Sequence, residues 1–308
     1  MKTLTTALGA ALLTASATAG FAEMTTQDIK NGFKEHAALA QLHRWYQIYE
    51  RPAGGIENAL DILAEDVTVT SGLGTANGHD DYAARVSQLP DTWKNAHHVK
   101  STEITHGEDG AMTLSAQITY QNEGMLEGGA IRQAELSYNI ALSPTDTVLP
   151  VMSEVTITPI SEGEPDAYSD AYADNRMLSL VHYWLALIED PSRNPDPVRE
   201  ILADGFSLNF SSGAITDFEG FKAWLAGPGS QVAASTHLLE NFSASGPDAD
   251  GLYSLSVDFD WHGLLPDGTE LVAKTRHNWT ATNDVTERFA RIKSVDVEVL
   301  EPFRPKDG

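Results

Sequence analysis

Residues 41–50, QLHRWYQIYE, return as residues 180–189, LVHYWLALIE, with His, Trp and Glu in the same places. His43 is matched by His182, Trp45 by Trp184 and Glu50 by Glu189, each 139 residues further on. The register holds through Pro52/Pro191 and through Ile62-Leu63-Ala64 against Ile201-Leu202-Ala203, and it holds again at His98/His237. A unit of about 140 residues is too long for a solenoid repeat and suits an independently folding domain. The chain is therefore expected to fold as one domain written twice.

Residues 1–22 belong to neither copy. Met1-Lys2 gives a short positive start, Leu4 to Ala15 is small and apolar, and Gly20-Phe21-Ala22 offers small residues before Glu23. This pattern reads as a secretory leader, so the expected location is exported, periplasmic or extracellular. With no cysteine anywhere in the chain, an exported protein has no disulfides, and each copy must be held by its own core. At 42% hydrophobic residues that is feasible. The net charge of −24, from 44 acidic and 20 basic residues, opposes binding to nucleic acid and to anionic membrane surfaces. Nothing after the leader is long and apolar enough to span a bilayer.

Both copies read in the same order. Thr25 or Thr26 caps a helix whose stripe of Leu42, Trp45, Tyr46 and Tyr49 is repeated as Val181, Trp184, Leu185 and Ile188. The i, i+3, i+4, i+7 spacing is that of an amphipathic helix. Pro52 and Pro191 stop these helices. Short helices follow at 56–63 and 196–202, then the alternating segments EDVTVTS and DGFSLNF, then short helices at 80–86 and 219–225. Strand-like runs at 98–105, 111–122, 130–142 and 151–160 close the first copy, and runs at 237–243, 253–262, 270–280 and 289–300 close the second. Helices followed by an antiparallel meander indicate an α+β class. The expected organisation is a leader at 1–22, a first domain at 23–160, a polar linker at 161–167 and a second domain at 168–308.

The long helix ending in an acid, then ILAEDVTV or ILADGFSL, then HDDYAARV or DFEGFKAWL, and a histidine opening the meander (HHVKSTEI, THLLENF) resemble the nuclear transport factor 2-like superfamily. Within it the pattern is closest to the SnoaL-like proteins, and it covers nearly the whole chain after the leader, once per copy. The resemblance implies two tandem cones, each a curved antiparallel sheet wrapped around the long helix, with a mouth leading to an apolar pocket. It leaves the activity open, because the superfamily holds dehydratases, isomerases, epoxide hydrolases, cyclases and binding modules.

In the dehydratases of that superfamily, an acid near the end of the long helix and a histidine on the sheet meet inside the cone. Carried over residue by residue, this selects Glu50 with His98 and Glu189 with His237 as the catalytic candidates. A carboxylate that orients an imidazole makes it a better proton carrier near neutral pH. His97 and His98 are adjacent on a strand and point to opposite faces, and the shared register selects His98. Two departures stand against the pattern: the acid is Glu rather than Asp, and Trp45 or Trp184 occupies the position of a family tyrosine five residues earlier. The alternative is that Glu50 and Glu189 are solvated last-turn residues and the histidines ordinary strand residues. Trp45, Tyr46, Tyr49 and Trp184 are expected to line the substrate pocket, with His43 and His182 beside it or bonded to a neighbouring element.

The sequence offers no metal site: there is no His-x-x-x-His on a helix, no calcium-loop spacing and no cysteine. It also lacks a phosphate-cradling glycine loop and a G-x-S-x-G elbow. No cofactor is expected. Three functions remain: a cofactor-free dehydratase or isomerase with a Glu–His dyad, a module that binds a small apolar or aromatic molecule unchanged, and a structural pseudo-dimer. In the third, the sheets would face each other and Tyr120, Tyr138, Phe259, Trp261 and Trp279 would form the interface.

Overall fold

The computed structural model describes residues 24–50, 56–165 and 167–306. The leader expected at 1–22 and the helix-stopping Pro52 lie outside them. The first helix, α1 (Thr26–Glu50), opens on a reciprocal cap. Thr25 N donates to the Asp28 carboxylate at 2.8 Å, and Asp28 N donates to Thr25 Oγ1 at 3.2 Å. This exchange satisfies donors that the first helical turn would otherwise leave free. One face of α1 carries Leu42, Trp45 and Tyr46, all at 0% exposure, into the core of the first domain.

That core is closed by six strands: β1 (Leu63–Ser71), β2 (Gly74–Asn77), β3 (Lys94–His106), β4 (Met112–Glu123), β5 (Ile131–Ser143) and β6 (Val151–Gly163). Their order is β2-β1-β6-β5-β4-β3, antiparallel except that β1 runs parallel to β6. Alternation along β4 and β5 points Leu114, Ala116, Ile118, Tyr138 and Ile140 at the helix. Helix α2 (Gly78–Val86) follows β2 and packs on β1 through Tyr82.

The second domain repeats this plan. Helix α3 (Tyr172–Glu189) is followed by β7 (Leu202–Phe210), β8 (Gly213–Ile215), α4 (Phe218–Ala226), β9 (Ala234–Ser245), β10 (Leu252–Leu264), β11 (Glu270–Thr282) and β12 (Arg291–Pro305). The sheet order is β8-β7-β12-β11-β10-β9, the same permutation as in the first domain. The short helices expected at 56–63 and 196–202 are 3₁₀ turns at Glu57–Ile62 and Asp196–Ile201. The expected α+β architecture of two tandem domains, each a sheet against a long helix, is what the chain adopts. Among the described residues, no helix is long and apolar enough to cross a membrane.

Two expectations change, and β2 and β8 come in addition to the strands expected. β6 runs on to Gly163, three residues into the segment read as linker, because its last residues pair with β5 as far as Gln133. The short strands β2 and β8 have too few residues to show an alternating pattern. The domains also meet through their helices rather than their sheets: α1 packs along α3, and Ala37 and Ala40 of α1 join the second domain's core. Tyr138 and Trp279 belong to their own domains' cores, not to the interface between them.

The early turns of α1 also press on the second sheet at Gly32. A Cβ there would collide with the Thr236 side chain of β9 and sit 3.3 Å from Glu189 Oε2. Gly32→Ala is therefore expected to destabilise the protein by about 2 kcal/mol, the usual scale of an overpacked contact. Equilibrium urea unfolding measures this; an unchanged midpoint would mean that the Thr236 side chain gives way at no cost.

Candidate acid–base sites at the ends of the repeated helices

The last residue of each long helix is a glutamate with a fully buried side chain, and each carboxylate holds an imidazole from its own sheet. In the first domain, Asn95 Nδ2 at the start of β3 donates to the Tyr49 carbonyl at 3.0 Å, drawing the strand to the end of α1. Glu50 Oε1 then accepts from the His97 backbone N–H at 2.7 Å and lies 3.0 Å from His97 Nδ1. Asn175 of α3 donates its Nδ2 to both Glu50 oxygens, each at 3.0 Å, and to the His97 carbonyl at 3.0 Å. Burial pushes the Glu50 carboxyl up, against the bonds from His97 and Asn175 that favour its ionised form.

In the second domain, Glu189 Oε1 and His237 Nδ1 are 2.6 Å apart. Glu189 Oε2 makes no hydrogen bond and stands 3.6 Å from His36 Nε2 of α1. Burial pushes Glu189 well above the usual carboxylate range and His237 well below the usual imidazole range, with the nearby His277, His36 and His262 adding to the latter.

The histidine that meets Glu50 is His97, not His98. His98 Nε2 instead donates to the Ser169 carbonyl at 3.0 Å and ties down the connection between the domains. The constant spacing misled because Glu50 and His97 are 47 residues apart whereas Glu189 and His237 are 48 apart. The 139-residue offset still relates β2 to β8, but β3 begins at Lys94 and β9 at Ala234, so the connection ahead of β3 is one residue shorter. His97 sits opposite Tyr120, and His237 opposite Trp261. The expected pairing of Glu189 with His237 is present as a contact.

The remaining candidates divide. Trp45 stacks on Tyr82 at 5.3 Å and Trp184 stands edge-on to Trp279 at 6.0 Å, so both are core residues of their cones. Tyr49 bonds the Tyr82 hydroxyl. Tyr46 stacks on His97 at 4.7 Å, and its buried hydroxyl has no hydrogen-bond partner. His43 and His182 lie in the seam between α1 and α3, where their rings stack at 5.7 Å, rather than in either cone.

The two interiors differ in polarity. Tyr46 and Tyr120 stand against His97, and Tyr138 stands edge-on to Tyr46; 139 residues on, these three tyrosine positions hold Leu185, Phe259 and His277. Phe259 lies edge-on between His237 at 5.2 Å and His277 at 4.8 Å. His277 Nδ1 is buried without a partner. Among the described residues no three His, Cys, Asp or Glu side chains converge to hold a metal ion. A cavity of about 420 Å³ opens elsewhere, on the second sheet beside Ser243, Ser256, Asn278, Trp279, Ser294 and Asp296.

His277 yields a pH prediction. Burial lowers it to about 4, so below the ordinary value of 6.5 the unfolded chain binds a proton that the native state refuses. Its share of stability is present at neutral pH and is lost as pH falls from 6.5 towards 4, on the order of 3 kcal/mol. His277→Phe, which removes the titration, is expected to flatten the fall in melting temperature over that interval. Calorimetry at pH 7, 5.5 and 4 reads it, and parallel profiles for variant and wild type would refute it.

No family model and no curated protein matches the chain. Solved structures do. A hexachlorocyclohexane dehydrochlorinase (LinA type 2) aligns at 11% identity, covering 45% of this chain and 95% of that one, with a TM-score of 0.36. An uncharacterised protein with a cystatin-like fold from Caulobacter vibrioides aligns at 15% identity over 42% and 91%, TM-score 0.34. A nuclear transport factor 2-like superfamily protein from Salmonella enterica aligns at 12% identity over 39% and 85%, TM-score 0.34. By its own element order and sheet order, the chain is an α+β protein of two tandem domains built to one plan.

Proposed function

We propose that this is an exported, cofactor-free acid–base enzyme of the hydro-lyase or isomerase kind, acting on a small apolar or aromatic molecule. The observation that carries the reading is the repeated contact of a buried glutamate with the Nδ1 of a sheet histidine. A carboxylate at Nδ1 fixes the ring and leaves Nε2, on its far side, as the nitrogen that exchanges a proton with a substrate. Two unpartnered buried groups stand beside the dyads, the Tyr46 hydroxyl near His97 and His277 Nδ1 near His237. Each can serve a polar atom of a substrate whose remainder lies among aromatic rings. The leader-like start supports export, and the acidic surface suits a small neutral substrate better than a polyanion.

A second reading, a non-catalytic pseudo-dimer module, is favoured by the packing of the first site. Glu50 receives hydrogen bonds from both His97 and Asn175, while His97 is wedged between Tyr46 and Tyr120 and the 420 Å³ cavity opens elsewhere. The two readings separate in a thermal-shift and turnover screen against small hydroxylated aromatics, ketones and alkyl halides, using wild type, His97→Ala and His237→Ala. The enzyme reading expects turnover in wild type that falls at least about 100-fold with loss of the acting imidazole, the usual worth of a general base. Binding hits without turnover, or turnover that survives both substitutions, would leave the dyads without a catalytic role.

A further inference from the structure

His36 lies 139 residues before Asn175, so a histidine of α1 and an asparagine of α3 occupy equivalent places in the repeat. Each reaches out of its own domain to the glutamate of the other. Asn175 meets Glu50, and His36 Nε2 stands 3.6 Å from Glu189 Oε2. Behind them the pattern is again equivalent. His43 Nδ1 lies 2.7 Å from Asn175 Oδ1, and His182 Nδ1 lies 3.0 Å from His36 Nδ1.

Proton placement follows from donors and acceptors. Asn175 uses its Nδ2 hydrogens on Glu50 and the His97 carbonyl, so its Oδ1 must accept and His43 Nδ1 must donate. Two imidazole Nδ1 atoms at 3.0 Å can share only one hydrogen. If His182 donates as its counterpart His43 does, neutral His36 accepts at Nδ1 and carries its hydrogen on Nε2, towards Glu189. His36 then has the polarity of Asn175: an acceptor at one end and a donor at the other.

We propose that Asn175 and His36 are positioning residues that cross the domain boundary, each completing the carboxylate–imidazole pair of the opposite domain. Neither site is then complete within one copy, and the two copies are interdependent rather than merely joined. The inference deepens the acid–base reading and rests on it for its meaning in catalysis. The buried surroundings hold His36 neutral, with its affinity for a proton lowered to about 4. The two bridges are not alike. Asn175 is within hydrogen-bond distance of its carboxylate and cannot titrate, whereas His36 lies just beyond that distance and can.

The test uses the full chain without ligand at pH 7.5, reading ring nitrogen shifts and tautomers by long-range proton–nitrogen NMR. The variants are His36→Ala, His36→Asn, Asn175→Ala and Asn175→His. Both polar replacements are residues the fold already carries at the equivalent position, so they are the variants to read if an alanine variant fails to fold. His36→Ala is expected to change the His237 ring signals while leaving His97 alone, and Asn175→Ala to do the reverse. His36→Asn should restore the His237 pattern, because it supplies the same donor. Unchanged His237 and His97 signals in variants that merely melt earlier would assign His36 and Asn175 to packing and overturn the proposal. The readout needs no substrate. A compound screen without turnover would therefore remove the acid–base reading while these spectra still decide the positioning.

Discussion

Two carboxylates buried at the ends of two antiparallel helices are the constraint around which this molecule is organised. A desolvated glutamate is costly unless it is bonded or takes a proton. At Glu50 the burial is offset by hydrogen bonds from His97 and from Asn175 of the other domain. At Glu189 one close contact to His237 stands against a burial that pushes the carboxyl well above its usual range. Because Asn175 of α3 bonds Glu50 and His36 of α1 faces Glu189, α1 and α3 must lie side by side. Gly32 permits the close approach, and Ala37 and Ala40 complete the apolar part of the contact.

The rest of the interface follows the same logic. Gln47 of α1 donates to Ser179 Oγ at 3.0 Å and accepts from Arg176 of α3 at 2.8 Å. Arg176 also caps carbonyls of the β11–β12 connection at Asp284, Glu287 and Arg288. At the outer edge, Asp61 bridges Arg44 of its own domain and Arg288 of the other. Such partly exposed pairs add modestly to stability. The buried polar seam inside them sets the register of the two helices, since displacement along it would leave several donors unpaired at once.

Much of this was readable from the residues, for identifiable reasons. The tandem plan rests on identities that survive in both copies because Trp45 and Trp184 fill the same core position. The long strands announce themselves by alternation, as at Leu114, Ala116 and Ile118. The sites were legible only in part. Glu50 and Glu189 stood out as the repeated acids, but the connection ahead of β3 is one residue shorter than its counterpart, and a constant offset carried across it picks the neighbouring histidine. Asn175 and His36 escaped because equivalence joins two different residue types, linked by a shared hydrogen-bonding polarity rather than by identity. His43 and His182 were visible as a repeat, yet the seam they share exists only once two helices meet.

The central claim is that the dyad of one domain is held by a residue of the other. A double-mutant cycle on Glu50→Ala and Asn175→Ala, read by equilibrium unfolding of the full chain, tests it most directly. A buried hydrogen bond to a carboxylate predicts a coupling energy of about 1.5–3 kcal/mol, with the double variant losing less stability than the two single losses together. Losses that simply add would show that the two residues are neighbours without a shared bond, and the account would fail at its centre.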